Sequence, residues 1–443
     1  MSRSDVVTVT IDRVGAEGDG SATAPDGATL YIPGALPGEL VQAEKLRRQG
    51  DGWATTRAAI LRESEARISP PCRHFGECGG CVLQHWRDAE YRARKTGLLE
   101  DTLRRAGFAN PHIELIQVTP PQSRRRMDLA ARRTPQGVAV GLHRRTIPSL
   151  APRKTGGPHA TSTICDLTEC HVLHPALFAL VAPLRGLLPR LQSFRREASV
   201  IANLLDHGID FLLRTDAPPD RADRERLIDF ARTHHLLRLS TAPTRGDPEP
   251  VIVLHRPAIT LSDVTVEPPP GAFLQASREG ESAIVQAVLT GLPEKQPARA
   301  RVAELYAGSG SLTFALAQRV RVAAWEGDDA AAAALRQAAN RAGLAGRVTV
   351  ARRDLARQPV SAAELSGFAA VVLDPPFAGA AAQMAQIAGA KPARVIYISC
   401  NPAVLARDAR MLHDAGYKLL AATPIDQFLW SARLESVCVF ART

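Results

Sequence analysis

The chain has 443 residues, 45% hydrophobic and 23% charged, which is an ordinary globular composition with room for about two to four domains. A formal charge of +10 favours a polyanionic partner; no apolar run of about 18 residues suggests a membrane span, and the first residues lack the apolar stretch of a signal peptide. Seven cysteines do not make a disulfide scaffold at this length, so a cytoplasmic location is expected, where clustered cysteines mean metal or catalysis.

Residues 1–62 read as a small β-barrel. Val6-Val-Thr-Val-Thr-Ile11 alternates apolar and polar positions, and Ala28–Pro33 and Glu39–Glu44 follow, separated by turns at Asp26-Gly27 and Pro37-Gly38. Residues 63–265 open with Cys72-x5-Cys78-Gly-Gly-Cys81 and a helical stretch from about Trp86 to Gly107. Between Gln122 and Ala160 nine Arg or Lys residues face a single acidic one, Asp128; the stretch reads as short strands, and as a phosphate-contacting strip. Residues 161–260 are mixed α/β, and Glu267-Pro-Pro-Pro-Gly271 reads as a linker.

From residue 266 onward strands and helices alternate as in a doubly wound sheet. Strands are expected at Arg301–Tyr306, up to Trp325-Glu326, up to Asp354, at Ala369–Leu373 and at Arg394–Ser399, with a helix over Leu312–Gln318. The last two, Lys418–Pro424 and Leu434–Phe440, have no long helix between them and should pair antiparallel at the sheet edge.

Three groups of residues carry chemistry. Ala307-Gly308-Ser309-Gly310 makes a tight turn after the first strand, and Glu326 ends the second, placed to accept from a ribose diol. Thr313 stands where a dinucleotide fingerprint wants its third glycine. The closing antiparallel strands and the Asp374-Pro-Pro end of the fourth strand therefore favour an S-adenosylmethionine site. Cys400, at the carboxyl end of the fifth strand, faces the ligand crevice of such a fold, although a lone buried thiol is more often inert. Cys72, Cys78 and Cys81 need a fourth ligand, for which Cys165 and Cys170 are the candidates. Only one pair has the CxxC spacing of structural zinc, which suits an iron–sulfur cluster better.

Taken together, these motifs closely resemble the bacterial RNA (uracil-5-)-methyltransferases, in particular the 23S ribosomal RNA members with an N-terminal TRAM domain. The resemblance spans nearly the whole chain: Ile32-Pro-Gly-Ala-Leu-Pro-Gly-Glu39, Cys72 to Cys81, Phe273-Leu-Gln-Ala276, Glu304 to Gly310, Leu373 to Pro376, Ile398 to Pro402 and Leu434-Glu-Ser436. It implies an α/β fold of three parts: a TRAM/OB-like barrel, a central iron–sulfur domain, and a Rossmann-like class I methyltransferase from residue 266, with part of 86–120 packing on that last domain. It implies Cys400 as nucleophile and Glu435 as base. Gln275, Tyr306, Ser311, Glu326, Asp354 and Asp374, with Gly308 in the turn, would surround the methyl donor and target base. Cys72, Cys78, Cys81 and Cys170 would ligate a [4Fe-4S] cluster, Cys170 being preferred because Glu169-Cys-His-Val-Leu173 resembles the motif around the family's fourth ligand. The partner would be 23S ribosomal RNA, bound by a monomer with no obligate protein partner.

Three positions depart from the family pattern: Phe377 where Arg usually follows Asp-Pro-Pro, Arg433 where a His-x-Glu motif is usual, and Ser311 for Asn. Two rival readings remain at this level, a methyltransferase for the transfer-RNA T-loop and a non-catalytic RNA-binding or ribosome assembly factor. The cysteine cluster and the barrel argue against the first, and intact Cys400 and Glu435 against the second.

Overall fold

The computed structural model describes residues 6–44, 47–50, 52–55, 57–145, 163–294 and 300–442. The N-terminal strands form a three-stranded and a five-stranded sheet. Both bury alternate residues in one apolar cluster, where Val9, Ile11, Leu30, Ile32 and Val41 are almost inaccessible. Behind them the polypeptide makes a loop carrying the cysteines and then helix α1 (Asp88–Arg105). Here α1 leaves its sequence neighbours: Leu98, Leu99 and Leu103 join the core of the C-terminal sheet. Two residues further on, β1 (Gln117–Val118), add a strand to that sheet.

The basic stretch forms antiparallel strands Arg126–Thr134 and Gly137–His143 within a seven-stranded central sheet that has its own core. Its arginines, however, are not a free cationic face. Arg133 stacks on Phe194 and donates to the Phe194 carbonyl, and Arg132 donates to Thr163. Arg144 pairs with Glu77, and Arg145 pairs with Asp19 at 2.7 Å. The expected phosphate-contacting strip is therefore largely a set of internal ties; Arg153 and Lys154, its last members, lie outside the described residues.

The C-terminal sheet is built from β2 (Arg301–Leu305), helix α2 (Ser311–Ala317), β3 (Arg321–Glu326), β4 (Val348–Arg352), β5 (Ala370–Leu373), β6 (Arg394–Ser399), helix α3 (Pro402–Asp414), β7 (Tyr417–Asp426) and β8 (Glu435–Arg442). Its order is β4-β3-β2-β5-β6-β8-β7-β1. The first five strands are parallel and almost wholly apolar because helices cover both faces. The strand order reverses between β2 and β5, and a ligand crevice opens at the carboxyl ends of strands at such a switch point. β8 inserts antiparallel between β6 and β7, with Ser399 opposite Ser436. The pair β7–β8 is thus antiparallel as the sequence suggested, but the sheet edge belongs to β1. The hairpin Ile259–Val266 also packs into this core with Ile284 and Val288, so the boundary expected at 266 falls inside one packed unit. Among the described residues no helix is long and apolar enough to cross a membrane.

Candidate active site and cysteine cavity

At the end of β2 the backbone turns sharply. Tyr306, Gly308 and Gly310 all have positive φ, and a Cβ on Gly310 would meet Phe314 at 2.5 Å and Leu335 at 2.6 Å. Only glycine fits there, and the turn brings Ser311 to the start of α2. Glu326, at the end of β3, is fixed beside this turn. One of its carboxylate oxygens accepts from Gly308 N–H and the other from Asp328 N–H, both at 2.7 Å. Asp354 follows β4 and accepts from Ala356 N–H at 3.0 Å. Ser311 Oγ donates to Glu281 at 2.9 Å. Glu281 in turn pairs with the buried Arg125, whose Nε donates to the Gln275 carbonyl. A rigid acceptor beside an open glycine turn suits a ribose diol, so these residues fit a nucleoside donor.

The second half of the site lies across β5, β6 and β8. Cys400 immediately follows β6, and Asn401 caps α3 by accepting from the Ala403 and Val404 N–H groups. Asp374, just past β5, accepts from Gln275 Nε2 at 3.0 Å. Gln427 Nε2 donates both to Gln275 Oε1 and to Glu435 Oε2, each at 2.8 Å, while Gln427 Oε1 accepts from Ala276 N–H at 3.0 Å. A continuous buried chain therefore runs Asp374, Gln275, Gln427, Glu435. The other oxygen of Glu435, Oε1, is buried with no hydrogen-bond partner. Gln427 was not foreseen from the sequence; it stands alone in a loop and no spacing marks it.

The electrostatics follow from this packing. Burial, then the charge of Asp374, pushes Glu435 well above the usual carboxylate range. Burial also raises Asp374 to about 6, against the opposing hydrogen bond from Gln275. Cys400 is pushed up to about 12 by burial and by the Glu435 and Asp374 charges, with Arg433 pulling the other way. Cys400 is thus held as a thiol. The two departures from the family pattern meet each other, for the Arg433 guanidinium lies 4.6 Å from the Phe377 ring centroid.

Cys72, Cys78, Cys81 and Cys170 line a single cavity of about 410 Å³. Gly79 and Gly80 allow the close wrap, since a Cβ on either would meet His143 O at 2.6 Å or Leu142 at 2.7 Å. Gly80 N–H donates to Cys78 Sγ at 3.5 Å and Leu173 N–H to Cys170 Sγ at 3.4 Å. Cys165 does not line the cavity but lies buried on a strand directly behind Cys78, to which it hydrogen-bonds, lowering the Cys78 thiol below its usual range. Among the described residues no three His, Cys, Asp or Glu side chains converge on one point as ligands of a single ion would; the four thiols surround a space instead. Phe428, Leu429, Ser431, Ala432 and Arg433, from the loop between Gln427 and Glu435, also line the cavity.

A family model described as tRNA (uracil-5-)-methyltransferase matches residues 271–443. An uncharacterised RNA methyltransferase of Brucella suis is 36% identical over 448 positions, covering 100% of this chain and 99% of its own. The 23S rRNA (uracil(1939)-C(5))-methyltransferase RlmD of Bordetella parapertussis is 34% identical, over 94% of this chain and 89% of its own. Among solved structures, Pyrococcus abyssi tRNA (uracil-54, C5)-methyltransferase in complex with S-adenosyl-L-homocysteine has the same fold. The TM-score is 0.72 at 19% identity, covering 98% of this chain and 100% of that one.

Proposed function

The chain belongs to the RNA (uracil-5-)-methyltransferase family, and from that footing we propose that it methylates C5 of a uridine in 23S ribosomal RNA through a covalent bond between Cys400 and C6. The observation that carries the mechanism is the pairing of nucleophile and base across two neighbouring strands. Ser399 lies opposite Ser436, so Cys400 and Glu435 leave the sheet on the same side, with Asp374 beside them. S-adenosylmethionine, when bound, supplies the electrophilic methyl group; Glu326, Asp354, Tyr306, Gly308, Ser311 and Asp374 would hold it.

Cys400 gives up its proton to solvent as its sulfur bonds to C6, moving the ring electrons to C5 and O4. After C5 has gained its methyl it still carries a proton, and a base must take that proton before the sulfur can leave. Glu435 suits this step. Gln427 already donates to Oε2, so Oε1 is the oxygen left to receive the proton, and the raised affinity of a buried carboxylate makes it a better base. Collapse of the carbanion then expels Cys400, which recovers a proton.

Cys72, Cys78, Cys81 and Cys170 would hold a [4Fe-4S] cluster, supported by their shared cavity and by the position of Cys165 outside it. When bound, the cluster supplies a covalent cross-link between segments about ninety residues apart. The N-terminal sheets would serve as a TRAM-like RNA-binding barrel, and the chain would act as a monomer. The preference for 23S RNA rests on the RlmD relative, which matches across all three regions.

The test is methyl transfer from labelled donor to transcribed 23S RNA and transcribed transfer RNA. Label in 5-methyluridine of 23S RNA, abolished by Cys400→Ala, supports the reading. Label only in the T-loop overturns the choice of RNA; label in neither leaves a non-catalytic RNA-binding protein.

A further inference from the structure

Phe377 is 51% exposed although it follows directly on Asp374-Pro-Pro beside the Cys400 pocket. Its backbone is pinned by Asn401, whose Nδ2 donates to the Phe377 carbonyl at 3.1 Å. The residue after the nucleophile therefore fixes where the ring stands. Arg433 is held just as firmly. Its carbonyl accepts from the buried Lys95 Nζ, and its N–H donates to Ser431 Oγ at 3.1 Å. The guanidinium has Glu17 only at 3.9 Å, and its close contact is the Phe377 ring at 4.6 Å.

An exposed aromatic ring on a fixed backbone, with a cation on it, next to the site proposed to take in a nucleotide, is the construction that stacks unpaired bases. Cys400 is half-buried, so the target ring must pass inward to reach it. Phe377 is the more exposed of the two. We propose that Phe377 and Arg433 form a stacking platform for the base adjacent to the target uridine and so position that uridine over Cys400. Arg433 contributes a positive charge on the same surface, complementary to the RNA backbone. The proposal rests on the uracil-5 methyl-transfer reading, and it gives Phe377 and Arg433 a positioning role in substrate selection.

The experiment uses the full chain and two probes. The first is a single-stranded oligouridylate carrying one 2-aminopurine, whose fluorescence is quenched by stacking whether or not methyl transfer occurs. The second is transcribed 23S RNA with labelled donor. Phe377→Ala keeps the backbone carbonyl that Asn401 holds, so folding is preserved. It should lose the quenching, weaken binding about tenfold or more, and raise KM for RNA more than it lowers kcat. Its salt dependence should match wild type, because no phosphate contact is removed. Phe377→Trp should restore quenching and KM. Arg433→Lys, which keeps the charge but loses the planar face, should fall between the two. Unchanged quenching and unchanged KM in Phe377→Ala overturn the platform. Wild-type protein that quenches the oligouridylate but transfers no methyl to 23S RNA overturns the proposed function while leaving the platform standing.

Discussion

Gln427→Leu should disable the base without touching either proposed catalytic residue. Leucine fills nearly the same volume but supplies none of three hydrogen bonds, so Gln275 Oε1, Glu435 Oε2 and Ala276 N–H lose their partner in a buried site. Each orphaned group costs about 1–3 kcal/mol, and more for a charged one, so the gross penalty for the three with Glu435 ionised is roughly 3–9 kcal/mol or more. The site can escape part of that by keeping Glu435 protonated. The Gln427 hydrogen bond lowers the Glu435 pKa, and its loss moves an already raised pKa further up. In the proposed mechanism deprotonated Glu435 removes the C5 proton, so the acid limb of the rate should shift to higher pH and the rate near neutrality should fall about 10²-fold or more. Single-turnover methyl transfer against pH measures this, with the covalent protein–RNA complex followed in parallel on denaturing gels. Because the adduct forms before the base acts, the complex should persist longest at the acid end. A variant that is merely less stable, with an unmoved acid limb and no lasting complex, would refute the reasoning and leave Gln427 as packing.

Glu435→Gln should stall after methyl transfer as a donor-dependent covalent band at early times, whereas Cys400→Ala should bind RNA and donor yet form no band. Protein prepared without oxygen should carry about four irons per chain; Cys170→Ser should lose them and Cys165→Ser keep them, with one equivalent of colourless zinc as the result that sinks the assignment. In Cys170→Ser the remaining catalysis should fail at release of the adduct more than at its formation. Glu304, buried under the glycine turn, is raised to about 8 by burial. The folded chain therefore holds a proton that the unfolded chain releases at about 4.3, and stability falls as pH climbs between those values. Glu304→Gln should raise the melting temperature at pH above about 8 and leave it nearly unchanged in acid; equal effects at both ends would show that ionisation is not the cause.

The parts of this molecule that were legible in the sequence are those whose signal is local. The parallel strands announce themselves as short apolar runs, because a sheet covered on both faces needs apolar residues at every position. The glycine turn is readable because a Cβ at Gly310 has no room. Boundaries shift by a few residues: the helix read as Leu312–Gln318 is Ser311–Ala317, and the strand read as Lys418–Pro424 is Tyr417–Asp426. What stayed hidden depends on partners far apart in the chain. A count of arginines cannot distinguish a phosphate-binding face from Arg145 tied to Asp19, about 126 residues away. Two residues, Gln117 and Val118, are too few to show a strand period, although they cover the edge of the sheet. Gln427 becomes significant only once β7 and β8 have brought it between Gln275 and Glu435.

The loop from Gln427 to Leu434 joins these long-range dependencies. It has no regular structure, and Trp430 in it adopts a positive φ. Its geometry is imposed from outside. Val82 and Leu83, directly after Cys81, donate their N–H groups to the Trp430 carbonyl at 2.8 and 3.0 Å. From α1, Lys95 Nζ donates to Asp426 at 2.7 Å and to the Arg433 carbonyl, while Tyr91 OH bonds Asp426 and accepts from Trp430 N–H. The Lys95–Asp426 pair is fully buried, and removing one partner of such a pair costs about 3–5 kcal/mol. Cys400 is carried instead by β6 in the middle of the sheet, where Tyr397 and Ile398 are wholly buried. Cys400 follows β6 and Glu435 opens β8, so both are set by the sheet, whereas Gln427 belongs to the loop that the cysteine segment and α1 hold. A disturbance of the cysteine cavity reaches Gln427, and through it the proposed base Glu435, before Cys400. In the proposed mechanism that order makes adduct release, assigned to Glu435, more sensitive to loss of the proposed cluster than adduct formation, assigned to Cys400.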